Sequence, residues 1–296
     1  MRLIVALNPL AGSGAGARAV PGVLSGLEDA GHDLDVVGLR GAARLPDELA
    51  AAMARNPDAL VAVGGDGLVH TAVNLLAGTD VPLGIIPVGT GNDIARSLKL
   101  PLRSPSAALT VLLSSLESGA RRMDLGLITS AGGQDIWFAA ACSAGLDAVV
   151  SARANSWVRP RGRARYVLAL LRELPFCRPL DYRMTVDGAP ADVLAMLVCV
   201  SNLRSIGGGM LITPDARPDD GRLNLLVVRP LPRLKLLALF PLLFSGRHVR
   251  RREVQIRTAS SVELEVPHIA LYADGEPVGT GRVRIDVVPG ALKVLA

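Results

Sequence analysis

Gly64-Gly65-Asp66-Gly67 follows directly on the apolar run Leu60-Val61-Ala62-Val63, and Pro87-Val88-Gly89-Thr90-Gly91-Asn92-Asp93 comes a short distance later. A carboxylate ringed by glycines at the end of a buried strand makes poor core, because glycine adds no packing and an unpaired buried charge is costly. The same arrangement suits phosphate and a metal ion. Glycines let backbone N–H groups close on phosphate oxygens, and Asp66 can hold a cation or a water that screens their charge.

Working outward, the first 120 or so residues alternate strand-like runs (3–7, 35–39, 60–63, 83–86) with helical stretches (20–30, 46–55, 68–76, 104–118). That order predicts an α/β domain with a parallel sheet and flanking helices, its ligand loops at the carboxyl ends of the strands. Past Asp124 the texture changes to apolar strand-like runs at 125–128, 136–141, 181–186, 193–200, 223–228, 254–258, 262–266 and 283–288. These predict a second, mainly antiparallel domain of β-sandwich type. The expected domains are 1–123 and 124–296.

Composition narrows the function classes. The chain has 296 residues and is 50% hydrophobic, enough for two real cores. Its charge of +5 is a modest excess, and 3% aromatic content leaves little to stack on bases, which argues against nucleic acid. Cys142, Cys177 and Cys199 lack metal-ligand spacing and read as small core residues of a reducing compartment. His32, His70, His248 and His268 show neither ligand nor triad spacing. The apolar start breaks at Asn8-Pro9, too early for a signal sequence, and the longest apolar segment, 236–244, is far short of a membrane span of roughly 20 residues. A cytoplasmic protein with peripheral membrane contact is expected.

Three loops carry the chemistry. Asn8-Pro9-Leu10-Ala11-Gly12-Ser13-Gly14-Ala15-Gly16 follows a strand and precedes a helix, the context for cradling phosphate, yet it is neither a P-loop nor a Rossmann fingerprint. The second loop is Gly64–Gly67, with its aspartate inside the turn. The third, Gly89-Thr90-Gly91-Asn92-Asp93, adds a hydroxyl, an amide and a second carboxylate.

Together these loops resemble the catalytic-domain motifs of the diacylglycerol kinase and sphingosine kinase superfamily, in its small soluble bacterial form. The likeness continues through Gly207-Gly208-Gly209, Pro214-Asp215-Ala216, Asp219-Asp220-Gly221-Arg222-Leu223 and Asp274-Gly275-Glu276, in the family's order. It implies an Mg²⁺-dependent kinase that phosphorylates the hydroxyl of diacylglycerol with ATP to give phosphatidic acid. Other lipid acceptors (a sphingoid base, ceramide or monoacylglycerol) and an inactive nucleotide- or lipid-binding homologue are the alternatives. NAD kinases share Gly-Gly-Asp-Gly, but the third loop argues against them.

By the same resemblance Asn8 shapes the first loop, while Gly12, Ser13, Gly14, Gly64, Gly65 and Gly67 face ATP phosphates. Gly89, Thr90, Gly91 and Asn92 complete the nucleotide contacts. Asp66, Asp93 and Asp124 would surround Mg²⁺, and Asp220 would ligate a second, structural Mg²⁺. Glu276 is the implied general base, with Asp274 beside it. By their residues alone, Asp124 also fits a surface salt bridge and Asp274-Gly275 an ordinary hairpin turn. Two departures stand out: Leu68 replaces a common threonine, and Ser13 stands where bacterial relatives place a lysine, leaving Arg18 or Arg96 to meet phosphate.

Two basic, leucine-rich segments, 157–176 and 233–252, are suited to an anionic membrane surface or, equally, to helices packed on the β domain with arginines in water. A homodimer is compatible with the sequence.

Overall fold

The computed structural model describes residues 1–8, 11–38, 44–130, 135–157 and 163–296, without the side chains of Ser13, Asn155, Arg163 and residues 267–269. Pro9, Leu10, Leu39, Arg159 and Arg161, and the side chains of Ser13 and His268, therefore lie outside the described residues. The chain forms two compact units, Met1–Met123 with Gly290–Ala296, and Asp124–Pro289.

In the first unit the apolar runs form β1 (Arg2–Leu7), β2 (Asp33–Val37), β3 (Ala59–Gly64) and β4 (Leu83–Pro87), with helices α1 (Ala15–Asp29), α2 (Leu45–Met53), α3 (Asp66–Leu76), α4 (Asp93–Ser97) and α5 (Pro105–Ser118). The strands are parallel in the order β2-β1-β3-β4, in register through Val5↔Val61 and Val61↔Gly84. Order reverses at β1, so the loops after β1 and β3 open the crevice where α/β sheets bind ligands. Leu3, Val5, Leu7, Val61 and Val63 share a core with Val23 and Leu27 of α1 and Ala108 and Leu112 of α5. Gly84 lets α5 approach, since a Cβ there would lie 2.4 Å from Leu112 Cδ1.

Two boundaries differ from expectation. Helix α1 begins at Ala15 rather than at Val20 and contains Pro21, a residue that ordinarily argues for a helix start. Residues 290–296, expected in the second domain, cluster with the first, because Val294 and Leu295 pair in parallel with Leu83 and Gly84.

The chain enters the second unit within β5 (Arg121–Ser130). There follow β6 (Asp135–Phe138), β7 (Ala141–Gly145), α6 (Leu146–Asn155), α7 (Arg163–Glu173), β8 (Leu180–Val186), β9 (Ala189–Pro190), β10 (Val193–Ala195), β11 (Leu197–Ser201) and β12 (Leu223–Val228). The last elements are α8 (Arg233–Leu243), β13 (Val254–Ala259), β14 (Ser261–Ala273) and β15 (Glu276–Leu295). Antiparallel pairing runs β13-β12-β11-β7-β14-β15, with β8 also on β14 and β6 on β5.

Strands β11 and β12 are buried on both faces. Val198, Val200, Leu225 and Val227 enter one core with Phe138, Tyr182 and Leu264, while Cys199, Leu226 and Val228 meet Leu174 and Leu236 beneath the helices. The cysteines are free thiols, and burial pushes Cys142 and Cys199 up, as suits inert core residues. Two runs expected as single strands are broken: 136–141 at Ala139-Ala140 and 193–200 at Met196. Helix α6 was not expected.

Candidate functional site

The loop after β3 is shaped by contacts that only glycine allows. Val88 N–H donates to Gly64 O at 2.9 Å, bringing the ends of β3 and β4 together. A Cβ on Gly65 would lie 3.1 Å from Gly89 Cα, and one on Gly89 would lie 2.5 Å from Gly65 Cα. A side chain at either position would push the two loops apart. Leu68 is buried, with Cδ2 2.6 Å from where a Gly64 Cβ would stand. The departure from the common threonine thus points into the core.

Asp66 opens α3, and its Oδ1 accepts N–H groups from Asp93 at 2.7 Å and Ile94 at 3.4 Å. Burial first, then the charge of Asp93, pushes its carboxyl up to about 6 against the backbone donors Ile94, Asp93 and Asn92. Asp93 is itself buried, with Arg96 Nε 3.8 Å from its Oδ1. Both carboxylates face Gly91, where a Cβ would fall 2.6 Å from Asp66 Oδ2 and 3.6 Å from Asp93 Oδ2. Two carboxylates whose oxygens meet at Gly91 fit a hard divalent cation such as Mg²⁺.

Asn92 is turned inward. Its Oδ1 accepts from Gly89 N–H at 3.0 Å and its Nδ2 donates to Gly89 O at 2.8 Å, with φ at 54°. It braces the loop, whereas Thr90 is exposed at the tip. Arg96 does similar work, donating to Gly91 O at 3.1 Å.

The first loop docks beside them. Asn8 N–H donates to Val63 O at 3.1 Å and Asn8 O accepts from Ala11 at 3.0 Å. Gly12 has φ of 59°, and a Cβ there would stand 1.9 Å from Val88 O, so residue 12 has to be glycine. Gly14, at φ 93°, caps α1.

In the second unit Asp124 is buried and accepts Gly221 N–H on Oδ2 at 2.7 Å, while its own N–H donates to Pro218 O at 2.6 Å. The structure thus groups Asp124 with the turn that carries exposed Asp220. Asp274 accepts three backbone donors, Ala139 on Oδ2 and Ala140 and Ala141 on Oδ1, at 2.8 to 3.0 Å. Those bonds fix the break between β6 and β7. Glu276 is exposed at the start of β15. Among the described residues no three His, Cys, Asp or Glu side chains gather as a metal cluster.

Two buried polar residues escaped the sequence reading. Asn202 donates to Asp124 O at 2.7 Å and to Ala139 O at 3.1 Å, linking the Asp124 and Asp274 clusters, and its Oδ1 has no hydrogen-bond partner among the described residues. Asp147, in the first turn of α6, accepts from Ser143 Oγ at 2.6 Å, and burial pushes its carboxyl up. The only signal for either was a polar residue interrupting an apolar stretch.

Comparison with known proteins matches both units. The family model of the diacylglycerol kinase catalytic domain covers residues 2–128, and that of the YegS C-terminal NAD kinase beta sandwich-like domain covers 140–296. A diacylglycerol kinase of Mycobacterium tuberculosis H37Rv is 42% identical over 292 residues, 97% of this chain and 93% of the relative. One from Bacillus subtilis strain 168 is 27% identical over 279 residues, 93% of this chain and 89% of the relative. In fold, the chain is similar to a crystal structure of a diacylglycerol kinase from Bacillus anthracis Sterne, with TM-score 0.72 and 20% identity over 99% of this chain and 96% of the other.

Proposed function

Since the chain belongs to the diacylglycerol kinase family, we propose that it transfers the terminal phosphoryl group of ATP to the hydroxyl of diacylglycerol, giving phosphatidic acid and ADP. The observation that carries this reading is the convergence of Asp66 and Asp93 on Gly91, within loops whose glycines leave room for no side chain. Phosphoryl transfer needs positioning and charge neutralisation more than covalent chemistry.

Asp66 and Asp93 are the residues that would hold Mg²⁺, which when bound neutralises charge on the phosphate oxygens. Gly12, Gly14, Gly65, Gly67 and Gly89 let the backbone approach phosphate, with Thr90 free to donate its hydroxyl. Asn92 and Arg96 keep the third loop in shape. Glu276, exposed and acidic, is the base that takes the proton of the acceptor hydroxyl as it attacks phosphorus. Asp274 fixes the turn at Ala139–Ala141, and Asp124 with Asp220 organises the turn at Gly221.

Access to lipid comes from the helical layer of the second unit. Leu234 of α8 and Phe176 are 82% and 75% exposed, and Leu168 and Leu171 of α7 are half-exposed, while Leu236 and Leu170 anchor the same helices to the cores. Residues 221–252 contain eight Arg or Lys and no acid. Such a surface suits peripheral docking on an anionic bilayer. None of the described helices is long and apolar enough to cross a membrane.

The test is transfer of labelled γ-phosphate from ATP in mixed micelles offering diacylglycerol, monoacylglycerol, ceramide and a sphingoid base, with NAD as a soluble acceptor. Label in phosphatidic acid that requires Mg²⁺ is the expected result. Label confined to another acceptor, or absent from all, overturns the assignment.

A further inference from the structure

We propose that Arg18 is the side-chain cation that receives the polyphosphate tail of ATP at the first glycine loop, an inference that rests on the nucleotide-site reading above. Residue 13 is serine, and Arg2 and Arg18 are the only Arg or Lys among residues 1–38. Arg2 is engaged elsewhere, with its guanidinium on Arg55 O and Asp33 at the amino end of β1. Arg96, the cation of the third loop, is tied to Gly91 O and lies beside Asp93.

Arg18 differs from both. Its Nη1 lies 3.7 Å from where a Cβ on Gly14 would stand, so the guanidinium folds back over the glycine loop. Helical side chains point toward the amino end, which carries residue 18 to residue 14. Arg18 is exposed, has no hydrogen bond or ion pair among the described residues, and shares the first turn of α1 with no acid. Gly12, seated against Val88 O, holds the same loop against the end of β4 that leads to Thr90 and Asp93. A free guanidinium at this place matches phosphate oxygens in shape and charge, and its planar fork can bind two of them at once.

Equilibrium binding of ATP, AMP and adenosine to the full chain tests the assignment. Arg18→Gln is expected to weaken ATP about tenfold or more and adenosine not at all, with AMP between them, and Arg18→Lys to restore part of the loss. The exposed position predicts an unchanged melting temperature. If wild type binds ATP and Arg18→Gln binds it equally well, the inference fails and the nucleotide site stands. If wild type binds no ATP, the nucleotide-site reading falls and takes Arg18 with it.

Discussion

Asp66 and Asp274 look alike in sequence and locally in structure, yet their surroundings differ. Each precedes a glycine, and each carboxylate is met by three successive backbone N–H groups: Asn92, Asp93 and Ile94 for Asp66, and Ala139, Ala140 and Ala141 for Asp274. What separates them is the neighbour. Asp66 faces a second carboxylate across a glycine, and burial first, then that like charge, pushes its carboxyl up to about 6. Asp274 instead stands at φ 51° and closes a turn between two strands. Backbone donors alone therefore do not tell the two aspartates apart; the second carboxylate beside Asp66 does.

The sharpest way to break this contrast is Asp66→Asn. Turnover should fall on the order of 10³-fold from lost electrostatic organisation, while the melting temperature at pH 8 holds or rises, because asparagine keeps an acceptor for the backbone donors and removes a crowded charge. Turnover near wild type would erase the difference between the two aspartates.

Next in size, Glu276→Gln should slow the rate about 10²-fold and leave ATP affinity intact, as expected for loss of a proton acceptor. Steady-state rates beside equilibrium binding check this, and equal losses in both would make Glu276 a nucleotide-site residue. Asp274→Ala should act on stability, by about 2 kcal/mol in a denaturant titration, since three backbone donors lose their acceptor. An unchanged midpoint with abolished turnover would move Asp274 to the chemistry.

The smallest effect concerns pH. An unfolded chain has Asp66 near 3.8, the folded one near 6. Between those values the folded state holds more protons, so metal-free protein should lose stability as pH rises from about 4 to about 6, with the penalty fully present above. Melting curves of wild type and Asp66→Asn over this range should diverge, and parallel curves would remove the proposed crowding.

Much of the first unit was legible because its signals are redundant. An apolar run, a glycine turn and a helical stretch recur in order, and steric contacts at Gly12, Gly65 and Gly89 explain why those glycines stand where they do. The second unit resisted reading where one apolar run holds two strands. Apolar runs such as 136–141 and 193–200 contain no residue that announces the breaks at Ala139-Ala140 and Met196. Nor could sequence say that Asn92 would fold back on Gly89, since an amide in a glycine loop serves a ligand or its own backbone equally well. Asn202 was hidden for the same reason, its partners being main-chain atoms distant in sequence. The return of residues 290–296 to the first sheet is another long-range pairing without a local mark.

The central claim is that the Asp66–Asp93 pair organises a metal-bound nucleotide. Thermal shift with Mg²⁺ and ATP, measured on wild type and Asp66→Asn side by side, tests it most directly. The account predicts a clear rise in melting temperature for wild type and little or none for the variant. An equal rise in both would contradict it.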